Sequence, residues 1–151
     1  MFVTNHALAG ALIGLGVRNA AVAAPVSFAA HLAMDRVPHW GAAGDRDRFL
    51  RAARVDGLLA LGVLAAIGAT APAADRWRAV ASGAACVAPD LDKPLEHFAG
   101  RSPYPPAFDD FHAGLQAGRE FPRHLRRELA IGATLAAVYA LAARAQRRRA
   151  G

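Results

Sequence analysis

His6, His31, Asp35, Asp90, Asp92 and His112 are ionisable residues set in or beside apolar stretches, where such groups are costly to bury without a purpose. His31 and Asp35, in FAAHLAMDRVPHW, are four apart and so share one face of a helix, one turn from each other. A histidine and a carboxylate at that spacing can take a divalent ion, and the plainer alternative is a buried Asp–His hydrogen bond. His39 would be the next step on that face, but Pro38 breaks the helix and turns His39 over its end. Asp90 and Asp92, in VAPDLDKPLEH, directly follow the uncharged run Ala79 to Ala88, and Pro89 and Pro94 stiffen their turn. Paired acids of this kind either chelate a cation or stand solvated at a helix end. His6 opens an apolar helix in TNHALAG, and His112 follows Asp109 and Asp110 with Gln116 one turn on.

Together these six offer nitrogen and oxygen ligands from four segments, a supply suited to one or two zinc ions with positions left open for water. Such a site acidifies water and polarises an acyl or phosphoryl oxygen, so hydrolysis is the natural chemistry. His39, just beyond the metal face, is the candidate general acid/base. Arg36 and Arg101 are candidates for holding an anionic headgroup. His97 and His124 read as surface residues, Cys86 as a packed thiol, and Asp56 as the acid at the head of a helix, where it meets the helix dipole.

The stretches NHALAGALIGLGVRN, FAAHLAMDRVPHWG, VAPDLDKPLEHF and FHAGLQAGRE resemble, in that order, signature segments of small bacterial membrane-bound metal-dependent hydrolases, with a looser likeness to zinc-dependent phospholipase C. The resemblance covers most of residues 5–120 and falls on His6, His31, Asp35, His39, Asp90, Asp92 and His112. It implies a helical, membrane-associated fold and a metal-dependent hydrolase activity. This chain departs from the broader pattern in having Lys93 after Asp92 and no HRxxTHS stretch.

These residues must be carried by helices. The 151 residues are 54% hydrophobic and 20% charged, and about a quarter are alanine. So apolar a chain is not disordered, and its lone Cys86 rules out an intrachain disulfide scaffold. Nine prolines and few β-branched runs argue against an all-β fold. The pattern predicts a single all-α domain over residues 1–151, a bundle of about five helices with a basic tail over about 144–151. The first helix runs from about Asn5 to Val17 with Thr4 as N-cap, and the second from near Pro25 to before Pro38. The charged segment Gly41 to Arg54 precedes a third helix over about Asp56–Thr70. The fourth covers about Trp77–Val87 and the fifth about Pro122–Arg147, with a proline-laden loop and a short turn from Asp109 between them.

The net charge of +6 comes almost wholly from arginines clustered between apolar stretches, such as Arg46, Arg48, Arg51 and Arg54. That is the arrangement of cytoplasmic membrane-protein ends, and no motif for nucleic-acid binding accompanies it. A bilayer span takes about 20 apolar residues. The run Gly57 to Ala74 has 18, and Leu129 to Ala143 has 15. Several such segments in one small chain favour embedding in the bacterial inner membrane. The expected function is a zinc-dependent hydrolase of an ester or phosphoester, lipid-linked given its location, with membrane lipid as the surrounding partner. Two other readings stay open: a Mg²⁺-dependent enzyme of prenyl-type diphosphate chemistry, and a catalytically silent membrane protein that binds a partner. In the silent protein the six residues would not converge.

Overall fold

A computed structural model describes residues 1–150, and its architecture is all-helical. Seven α-helices follow in order: α1 (Val3–Gly16), α2 (Ala20–Met34), α3 (Arg46–Thr70), α4 (Arg76–Val87), α5 (Asp92–Ala99), α6 (Pro106–Gln116) and α7 (Leu125–Ala150). Single turns of 3-10 helix, Ala88–Leu91 and Pro122–His124, lead into α5 and α7. No strand occurs among the described residues, and the one β-type contact is a parallel bridge between His39 and Glu120.

Seven helices stand where five are expected because the acid-rich turn and the stretch around Asp109 each form a helix of their own, α5 and α6, while the charged segment before Asp56 lengthens α3. Asp45 accepts a hydrogen bond from the Arg48 backbone N–H, so α3 starts ten residues before Asp56. Asn19 caps α2 through the Ala21 N–H, which leaves Pro25 inside the helix rather than at its start. The acid-rich turn after Pro89 runs directly into α5, and Pro106 occupies the first turn of α6, where its missing N–H costs nothing.

Helix α1 is the central element and touches α2, α3, α4 and α7. Its closest approach is to α4, along a seam of small residues. A Cβ on Gly10 would lie 2.6 Å from Cys86 Cβ, and one on Gly14 2.7 Å from the Ala79 Cα. Glycine at both positions lets the backbones meet, the packing that small-xxx-small spacing permits. Beyond the seam, Ala11, Leu15, Ile67, Ala71, Ala79, Tyr139 and Ala143 form the apolar core.

The N-terminus of α1 is tied down by two carboxylates from other helices. Asp56 accepts hydrogen bonds from the Val3 and Thr4 backbone N–H groups and, at 2.6 Å, from the Thr4 hydroxyl. Glu128 of α7 accepts from the Phe2 N–H at 3.1 Å and the Asn5 amide at 2.7 Å. Asp56 therefore sits mid-helix in α3 and caps α1, and Thr4 is a donor to that cap rather than the cap itself.

α3 and the segment Pro122–Arg149 are long and apolar enough to cross a membrane, and only 17% of the most apolar stretch of each is buried. Leu58 of α3 is 71% exposed and Leu141 of α7 is 69% exposed.

Candidate metal centre

Three segments converge where α2, the 3-10 turn after α4, and α6 meet. α2 supplies His31 and, at its C-cap, Asp35. The turn supplies Asp90, and α6 supplies His112. One ligand atom from each of these four lies within 4.8 Å of the others. The dispersal expected of a silent protein is not what the chain adopts. His31, Asp35 and His112 are almost wholly buried, and the Asp90 side chain is 9% exposed.

Three of the atoms form a tight triangle. His31 Nε2 and His112 Nε2 are 3.1 Å apart, and Asp35 Oδ2 lies 3.2 Å from the first and 3.1 Å from the second. Asp90 stands further out, with Oδ2 4.0 Å from His31 Nε2 and Oδ1 3.9 Å from His112 Nε2. A tetrahedral zinc with ligands at about 2.0–2.2 Å has ligand–ligand edges of about 3.3–3.6 Å. The triangle is slightly tighter than those edges and Asp90 slightly looser, so the four fit an ion with three close ligands and a more open fourth side.

The hydrogen bonds behind the triangle decide what its atoms offer. His31 Nδ1 lies 2.7 Å from the Cys86 carbonyl oxygen, which only accepts, so Nδ1 carries the proton. His112 Nδ1 likewise donates to Asp92 Oδ2 at 3.2 Å. Both Nε2 lone pairs then point at each other and at a carboxylate oxygen. With both imidazoles neutral these atoms are acceptors facing one another, an arrangement that either a proton on His112 Nε2 or a metal cation satisfies. The carbonyl–histidine and carboxylate–histidine pairs are the outer partners that orient metal-bound imidazoles.

Burial, hydrogen bonds and neighbouring charges set the protonation of the group. Burial opposes a proton on His112, yet hydrogen bonds to Asp35 and Asp92 carry its pKa up to about 9. Burial would neutralise Asp90, but the Lys93 ammonium, 2.7 Å from Oδ1, and the nearby imidazoles hold it ionised with a pKa of about 2. Asp35 stays ionised against its burial because His112, His31 and His6 all hydrogen-bond it.

Of the six residues expected as ligands, four form the group and two stand behind it. His6 donates from Nε2 to Asp35 Oδ1 at 3.2 Å and stacks on His31 with ring centroids 3.8 Å apart. Its Nδ1 is buried without a partner. Asp92 orients His112. His39 lies apart: Nδ1 donates to the Val37 carbonyl at 2.8 Å, and Nε2 is 3.7 Å from Glu120 Oε1, too far for a hydrogen bond. Among the described residues no hydrogen bond joins His39 to the four. Arg36 and Arg101 are exposed, and the cations against the group are Lys93, on Asp90, and the Met1 ammonium, 2.9 Å from Asp35 Oδ1.

Gln116, noted in the sequence only for standing one turn after His112, and the Cys86 carbonyl join the site as further groups. Gln116 donates its amide to Asp35 Oδ2 at 2.6 Å, one helical turn after His112. Its signal was the four-residue spacing from His112. A backbone carbonyl carries no sequence signal at all.

Beside the group lies a cavity of about 600 Å³ with mainly apolar walls from α3, α5 and the start of the chain. Asp90, Lys93 and Gln116 line one part of it, so the looser side of the four-residue group faces open space. Glu120 and Trp40, from the His39 neighbourhood, also line it.

No family model, no curated protein and no solved structure matches this chain.

Proposed function

We propose that the chain is a membrane-associated, metal-dependent hydrolase of an ester or phosphoester, with one zinc ion held by His31, Asp35, Asp90 and His112. The observation that carries the reading is the triangle of acceptor atoms, 3.1–3.2 Å on a side, with both imidazole tautomers fixed from behind. Two imidazoles in the set favour zinc over Mg²⁺, which prefers carboxylates and water. Lys93 already lies against Asp90 and Asp92, which favours one ion over two.

Each residue then has a task. Asp35 is fixed by the Gln116 amide on Oδ2 and by His6 on Oδ1, so it is presented in one orientation. His31 and His112 keep their lone pairs inward because their other nitrogens are occupied. Asp90 is the least tightly placed ligand and borders the cavity, which leaves a substrate oxygen room to approach. Lys93, at the same edge, suits an anionic oxygen of that substrate. A zinc ion bound there supplies a Lewis acid and a water acidified toward neutrality. The resemblance of the four signature stretches to membrane-bound metal-dependent hydrolases points the same way, and the exposed leucines of α3 and α7 support a place in the bilayer.

Metal analysis of the purified protein tests the centre. The reading expects about one zinc per chain, lost in His31→Ala and in His112→Ala, and zinc-dependent cleavage of a chromogenic ester or phosphoester. Wild-type protein that binds no zinc, or variants that keep it, would overturn the assignment. The membrane part is tested by alkaline carbonate washing, in which the protein should remain with the bilayer; release into the wash would sink it.

A further inference from the structure

We propose that the cavity beside the metal centre holds the single alkyl chain of a phosphoester lipid, its anionic head lying at Asp90 and Lys93. This rests on the hydrolase reading for the head and on the cavity alone for the chain.

The cavity wall is mostly apolar, with polar groups at Asp90, Lys93 and Gln116 and singly at Arg54, Asp56, His97 and Glu120. At Asp90, Lys93 and Gln116 it meets the metal group, the one region that offers a cation and an amide donor together. Among its other acids, Asp56 is engaged with the N-terminus of α1 and Glu120 faces His39. The apolar part of the wall includes Leu50, Ala53, Gly57, Leu61, Leu64 and Phe98. A volume of about 600 Å³ is within the ordinary range for a small-molecule site, roughly 300–1,000 Å³. The side chains of these six residues offer no hydrogen-bonding group, so the complementary occupant along them is hydrocarbon.

The walls also show where such a chain enters. Leu61 is 65% exposed and Phe98 is 75% exposed, although both line the cavity. The cavity therefore opens between α3 and α5 on the side that carries the exposed leucines. A lipid already in a bilayer beside α3 reaches it sideways, its tail remaining in an apolar medium and its head brought to the metal edge.

Gly57 gives a clean way to close the space. It lines the cavity, and a Cβ built on it meets nothing within 4 Å, so a larger side chain fills the void without displacing the fold.

The experiment uses zinc-loaded full-length protein in nanodiscs, with Trp77→Phe leaving Trp40 in the cavity wall as the fluorescent reporter. The probes are n-alkyl phosphonates from methyl to dodecyl, and empty nanodiscs serve as the blank. Affinity should rise by about fourfold per methylene until the cavity is full and then level off. Gly57→Phe, and independently Ala53→Phe, should flatten that rise while leaving methylphosphonate affinity and zinc content unchanged. Lys93→Met should weaken every member of the series by a similar factor. A flat series in the parent protein, or a slope that both filling variants leave intact, overturns the proposal. A protein that shows the slope but binds no zinc overturns the hydrolase reading and leaves the chain site standing.

Discussion

Replacing Gly10 with alanine should damage the metal centre although Gly10 touches none of its ligands. The added methyl would sit 2.6 Å from Cys86 Cβ, and closer still to the Ser82 carbonyl oxygen. Ordinary contact begins at 3.4 Å, so α1 and α4 would have to part by about 1 Å, since neither obstacle is a flexible side-chain end. Overpacking of this kind costs about 1–3 kcal/mol, and exchanging glycine for alanine inside a helix returns up to about 1 kcal/mol. A net loss of about 1–2 kcal/mol is expected. The same Cys86 lends its carbonyl to His31 Nδ1 at 2.7 Å, so moving α4 loosens the imidazole that faces His112. Disturbed outer partners lower metal affinity by about 10–100-fold. Zinc titration against a competing chelator, with thermal unfolding of the metal-free and loaded protein, reads both effects. Gly62→Ala is the control: that glycine lies in α3 with nothing within 4 Å of its would-be Cβ, so stability should hold or rise slightly. Gly10→Ala protein that melts like wild type and binds zinc as tightly would refute the coupling of the α1–α4 seam to the centre.

Asp92→Asn should keep the four residues in place and weaken zinc binding by about 10–100-fold, because it removes the carboxylate behind His112 Nδ1 and beside Lys93; complete loss of metal would make Asp92 a ligand itself. Asp56→Ala should cost about 1–3 kcal/mol in chemical denaturation by stripping the acceptor from the Val3 and Thr4 N–H groups, and an unchanged midpoint would refute its capping role. In the metal-free protein the His112 pKa, near 9, lies above its unfolded value of about 6.5, so its stabilising share is complete below about 6.5 and lost as pH rises through about 9. Thermal stability should accordingly fall between pH 7 and 9.5 in that form and much less in His112→Gln. Zinc loading at pH 7.5 should release about one proton, seen as a difference in binding heat between buffers of unlike ionisation enthalpy.

The sequence carried much of the helical reading and less of its boundaries. Proline and glycine punctuation located the cores of α1, α2, α4 and α7, and alanine with short apolar runs made them helices. The segment before Asp56 misled because Arg46, Asp47, Arg48, Arg51 and Arg54 are charged in any setting, and only the Asp45 cap with an exposed face makes them helical. Asp56 misled for a related reason. A carboxylate near an expected helix start reads as a local cap, whereas this one reaches across to α1.

At the centre, residue type and spacing were enough to name His31, Asp35, Asp90 and His112, because ionisable groups in apolar surroundings stand out by their cost. Ranking within the six was beyond sequence. His6 and Asp92 are of the same types as the ligands, and only distance separates a residue aimed at the central point from one that orients its neighbour. His39, one step along from His31 and Asp35, was turned away once Pro38 ended the helix and its ring met Val37 and Glu120. Composition and period are properties of the chain as a string, and they suffice for helix content and for unusual residues. Which lone pairs share a point, whether a lysine stands at the edge, and where a cavity opens depend on how helices cross. Those crossings were decided by contacts such as Gly10 against Cys86, between residues far apart in the chain.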